Sequence, residues 1–98
     1  MITHTVQFRF KPGLSESDNA AFMEALQGLS VIPGVQDFGI FQQVSTGNSF
    51  EYLATMRFRT HEEYRAYSDH PQHVAFIRNQ WTPKVGAFLE GDYLEWQA

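Results

Sequence analysis

Among the four histidines and four tyrosines of this sequence, His4, Tyr52, Tyr67, His70 and His73 are the candidates for moving protons. Imidazole titrates near ~6.5, so a positioned histidine can take or give a proton at neutral pH. A tyrosine hydroxyl can donate a hydrogen bond to an enolate oxygen. Together the two types suit removal of a proton next to a carbonyl. Tyr67 precedes His70 by three positions and His73 by six, so a helix through this stretch brings Tyr67 and His73 toward a common surface. Each residue also has a plain reading. His4 can be a hydrogen-bonded core residue, His70 a brace for the break at Pro71, and Tyr52 and Tyr67 simple packing. The residues alone leave His73 open between pocket and structural roles.

Other chemistries fit less well. His70 and His73 with Asp69 or Glu63 could ligate a cation, but there is no His-x-x-x-His pair and no cysteine, so no metal is expected. Serines occur at 15, 17, 30, 45, 49 and 68, none of them in a Gly-x-Ser-x-Gly elbow. No phosphate-cradling loop and no flavin or nicotinamide fingerprint is present, so no cofactor is expected. Asp37, Glu51 and Asp92 read as surface charges.

The elements that must position these groups follow from periodicity. Residues 2–10 alternate, with Ile2, His4, Val6, Phe8 and Phe10 on one face, which predicts a half-buried strand. Ser15 reads as the cap of an amphipathic helix carrying Phe22, Ala25, Leu26 and Leu29. Strands are predicted over about 35–44 and 50–58, the second with Tyr52 on its apolar face. Thr60 to Glu63 forms a capping-box pattern that opens a second helix. That helix breaks at His70-Pro71 and restarts, to end near Asn79, before a last strand from Ala87 to Trp96. The order β-α-β-β-α-β predicts an α+β, ferredoxin-like subunit: a four-stranded antiparallel sheet with helices on one face. The other sheet face, with Thr3, Thr5, Gln7, Phe41, Leu53 and Thr55, is too mixed for a core. It suits either solvent or a second subunit.

The 98 residues suffice for a single domain. A net charge of −4, without a basic cluster, argues against nucleic acid. The N-terminus does not read as a signal peptide, and no apolar stretch approaches the ~20 residues of a membrane span. With no cysteine, the expectation is a cytoplasmic protein.

Several segments carry a resemblance. His4 to Ser15, Ile32-Pro33-Gly34-Val35, the run Tyr67-Ser68-Asp69-His70-Pro71-Gln72-His73-Val74-Ala75-Phe76 and Asp92-Tyr93 occur in the order found in the stress-responsive A/B barrel (Dabb) family. The resemblance implies a homodimer, two sheets facing each other as a dimeric α+β barrel. One plant branch of that family cyclises polyketide chains with a His and a Tyr in a pocket between sheet and helices. By resemblance His73 and Tyr67 take those catalytic positions and His4 the supporting one. A further pocket His of that branch is Tyr52 here, and a pocket Tyr is Ala25. The functional expectation is a dimeric protein whose pocket, with His4, Tyr52 and His70 beside the catalytic pair, binds a small carbonyl or aromatic compound. The alternatives are a non-catalytic stress-response or interaction module, and a cofactor-free proton-transfer enzyme.

Overall fold

In a computed structural model covering residues 1–98, the alternating N-terminal segment is strand β1 (Ile2–Phe10). Ile2, His4, Val6 and Phe8 are buried and the intervening residues are not. Period two demands this when one face alone is covered. Helix α1 (Glu16–Gly28) starts at Ser15, whose hydroxyl accepts from the Asp18 N–H while the Asp18 carboxylate accepts from the Ser15 N–H. These bonds, the backbone one foremost, hold the Asp18 carboxyl below its usual pKa. A 3₁₀ turn (Leu29–Val31) closes the helix.

Strands β2 (Gln36–Gln42) and β3 (Tyr52–Phe58) are shorter than the periodicity suggested. The Gln43 amide takes over at their junction, donating to the carbonyls of Ser45, Asn48 and Phe50 and shaping the connecting loop. Asp37 has φ 51°, a left-handed conformation that aspartate tolerates better than most residues. It sits where the pairing of β2 with β3 shifts register.

The second helical stretch is built in pieces. Helix α2 (His61–Asp69) is capped by Thr60, whose hydroxyl accepts from the Glu63 N–H. The reciprocal half of the expected capping box is not made; the Glu63 side chain packs against Gly34 instead. His70 is extended, as a residue before proline prefers to be. Helix α3 (Pro71–Phe76) then restarts, a π-helical turn (Ile77–Trp81) follows, and a last turn, α4 (Thr82–Lys84), leads into β4 (Val85–Tyr93). Helical structure thus runs past Asn79, and β4 begins earlier than expected. Pro83 stands in the first turn of α4, where no N–H is required of it. Because a proline crowds the carbonyl four residues back, the ladder widens just upstream, and the Thr82 N–H reaches the Ile77 carbonyl. Gly86 lets β4 cross closely over β1: a Cβ there would lie 3.3 Å from the Lys11 backbone.

The strands form one antiparallel sheet in the order β2-β3-β1-β4. The order of elements is the β-α-β-β-α-β of a ferredoxin-like α+β fold, as expected. Between sheet and helices lies an aromatic core in which Phe8, Phe22 and Phe58 are fully buried. Each such ring stabilises the fold by roughly 1.5–3 kcal/mol through its burial. The slab is only 17 Å thick, because nothing in the subunit covers the second sheet face. Register places Phe41, Leu53, Gln7 and Leu89 in one row across that face. Phe41 and Leu89 are more than half exposed. No helix is long and apolar enough to cross a membrane.

Candidate functional site

Beside β1, toward the β4 edge, the helices leave a cavity of about 370 Å³. His4 of β1, Tyr67 of α2 and His73 of α3 all line it. The remaining walls are largely apolar, with Leu26, Met56, Phe76, Trp81 and Phe88 among them; Glu90 stands there too.

His73 and Tyr67 meet directly, their ring centroids 4.5 Å apart. The restart of the helix at Pro71 makes this possible, since it turns His73 back over the end of α2. There the Nδ1–H of His73 donates to the Ser68 carbonyl at 2.9 Å. A carbonyl can only accept, so neutral His73 carries its lone pair on Nε2. Burial lowers the His73 pKa, against the Ser68 hydrogen bond, which raises it; nearby His4 lowers it further and Glu90 raises it. The imidazole therefore favours its neutral, proton-accepting form. Tyr67 is buried and its hydroxyl makes no hydrogen bond within the chain. Burial, then the charge of Glu90, pushes its pKa well up, so it stays a donor.

His4 is held from behind. Its Nδ1 lies 2.6 Å from Asp92 Oδ1 and 2.7 Å from the Tyr64 hydroxyl. That hydroxyl in turn donates to both carboxylate oxygens of Asp92, at 2.9 and 3.0 Å. Tyr64 is braced by parallel stacking on Phe58, 4.8 Å between centroids. Burial, then the Asp92 hydrogen bond, raises the Tyr64 pKa. With Nδ1 committed, Nε2 is the His4 nitrogen left for the cavity. Asp92, read from sequence as a plain surface charge, is thus the anchor of a buried histidine.

Two expected pocket residues lie elsewhere. Tyr52 packs on Phe8 and Phe10, at 5.6 and 5.8 Å between centroids, and does not line the cavity. It pairs with Phe8, at the opposite end of β1 from His4, which explains its absence. His70 is also outside; its Nδ1 accepts from the Gln72 N–H and caps α3. Since His70 and His73 each use Nδ1 on separate backbone groups, they do not act as a pair. Ala25 is packed against the core and is likewise not a cavity residue. Sequence reasoning missed Tyr64, Asp92 and Glu90. A signal existed for the last two: Phe88, Glu90 and Asp92 alternate on β4, and register puts them opposite Phe8, Val6 and His4 on the helix-covered face. Carboxylates at such positions mark a face that is not closed.

The fold and this cavity define an α+β subunit with a polar cluster held between sheet and helices. Residues 2–94 match the Stress responsive A/B Barrel Domain, Dabb, and the chain belongs to that family. It is similar to a Dabb-family protein with a ferredoxin-like fold from Mesorhizobium loti: 37% identity over 98% of this chain and 97% of that one, TM-score 0.90. It shares its fold with a dimeric ferredoxin-like protein of unknown function from Thermobifida fusca (21% identity, 94% and 88% covered, TM-score 0.81). The same holds for a hydroxynitrile lyase from Passiflora edulis (14% identity, 99% and 94% covered, TM-score 0.88). No curated protein sequence matches the chain.

Proposed function

We propose that this protein is a homodimer whose subunits each bind a small, mostly apolar carbonyl compound and move a proton on it without a cofactor. The observation that carries this reading is the pairing of His73, with Nε2 free, and Tyr67, with its hydroxyl free, in a cavity of about 370 Å³, within the ~300–1,000 Å³ range of ligand sites. Nε2 of His73 takes a proton from the carbon next to the carbonyl. The electron pair moves onto the carbonyl oxygen, and the Tyr67 hydroxyl holds the resulting enolate by a hydrogen bond. As the enolate collapses, His73 gives a proton from Nε2 back to the carbon, and in D₂O a deuteron taken up from solvent; His4, fixed by Asp92 and Tyr64, orients the pair. The Passiflora protein supports the reading in one respect: this fold carries an enzyme there. The exposed apolar row on the open sheet face supports the dimer, as does the description of the Thermobifida protein as dimeric. The absence of cysteine supports a cytoplasmic setting.

The test is deuterium incorporation into 4-phenyl-2-butanone in D₂O, followed by proton NMR. The protein is expected to accelerate exchange beside the carbonyl over buffer, and His73→Leu and Tyr67→Phe to lose the acceleration. No acceleration, together with no saturable change in tryptophan fluorescence, refutes the reading.

A further inference from the structure

The fixed charge of the cavity is negative. Among its lining residues Glu90 is the single permanently charged side chain, and no lysine or arginine joins it. Glu90 forms no ion pair with any residue of the chain, unlike Asp92, which is bound to His4 and Tyr64. Glu90 is exposed to solvent where it lines the cavity, and its charge reaches Tyr64, Tyr67 and His73. Two places along β4 stands Phe88, on the same side of the strand. The Phe88 ring meets Trp81 edge to face at 5.4 Å, and Phe76 closes the group 6.3 Å from Trp81. Aromatic faces beside a carboxylate with no partner are the chemistry that receives an organic cation, which gains from the ring quadrupoles and from the charge together.

We propose that the cavity selects ligands carrying a positively charged amine on a small apolar body, with Glu90 as the specificity-determining residue. This deepens the proposed function and rests on it, naming the class of carbonyl compound as an amino-carbonyl. The same charge repels acids. A carboxylate ligand brought into this apolar space would lose its hydration and meet Glu90 with no cation to offset it.

The test compares three probes of similar size, benzyltrimethylammonium, benzyl alcohol and phenylacetate, by isothermal titration calorimetry and by Trp81 fluorescence in a Trp96→Phe background. Trp96 is 86% exposed in the C-terminal tail and would otherwise add unrelated signal. The cation is expected to bind at least about ten-fold more tightly than the acid, and Glu90→Gln to remove most of that difference. Equal affinities, or tightest binding of phenylacetate, overturn the charge selection and leave the proton-transfer reading intact. So does failure of all three probes to bind while the protein still exchanges 4-phenyl-2-butanone. Failure of both binding and exchange overturns the two together.

Discussion

Replacing His73 by leucine tests whether the imidazole is held neutral. In the folded protein burial keeps its pKa below the ordinary value, whereas the unfolded chain titrates near ~6.5. A histidine with a lowered folded pKa favours folding above the unfolded pKa. Stability is then lost as pH falls through the folded pKa, because the unfolded chain takes up a proton that the folded one resists. The loss cannot exceed about 1.4 kcal/mol per pH unit, and partial exposure of the ring reduces it further. At pH 8 the substitution removes the 2.9 Å hydrogen bond to Ser68. That costs ~1 kcal/mol, and burying part of a leucine side chain offsets about as much, so the two proteins should differ by less than ~1 kcal/mol. Urea melts of both proteins between pH 8 and pH 5 isolate the His73 contribution in their difference. The variant should gain on the parent as pH drops below ~6.5, with the gain levelling off below the folded pKa. If the parent instead gains on the variant as pH falls, the charged imidazole is the favoured form. The assignment of His73 as a base then fails.

Tyr64→Phe keeps the stacking on Phe58 but strips the hydroxyl from Asp92 and His4. It should lower stability by about 1 kcal/mol, read from a thermal or urea melt at pH 7. Leu89→Asp places a charge in the exposed apolar row of the sheet; if that row is the proposed dimer face, light scattering should find the parent as a dimer and the variant as a folded monomer at the same concentration. Ser15→Ala opens the cap of α1 and should cost ~1 kcal/mol in the same melts, with no effect on ligand exchange.

Strand β1 was plain from sequence because its alternation is strict from Ile2 to Phe8 and one face alone is buried. The cap at Ser15 was equally plain, since capping depends on residues within a few positions of one another. Tyr67 and His73 stood out by residue type and resemblance, but what brings their rings together is the break at Pro71, which spacing along one continuous helix does not describe. What could not be read was which end of β1 faces the cavity. Tyr52 and His4 share the apolar face, yet antiparallel pairing sets Tyr52 beside Phe8 and leaves His4 beside Met56. That is a matter of register between strands far apart in the chain. Asp92 and His4 are likewise 88 positions apart, so their bond depends on how β4 pairs with β1. The end of the second helical stretch was set too early, near Asn79, because Pro83 a few residues on can stop a helix or open a new turn, and the local sequence is compatible with both.

The roof of the cavity is assembled from short helical pieces jointed at Pro71 and Pro83, while its floor is a sheet whose strands are locked by pairing. Substitutions in the roof can reshape the cavity without disturbing strand register, because the joints are bonded locally: His70 caps the restart at Pro71, and the Thr82 N–H meets the Ile77 carbonyl beside Pro83. Evolution can therefore vary the chemistry of such a protein cheaply. Changing a stretch between Tyr67 and Lys84 gives a new binding surface, and the sheet beneath it stays as it was.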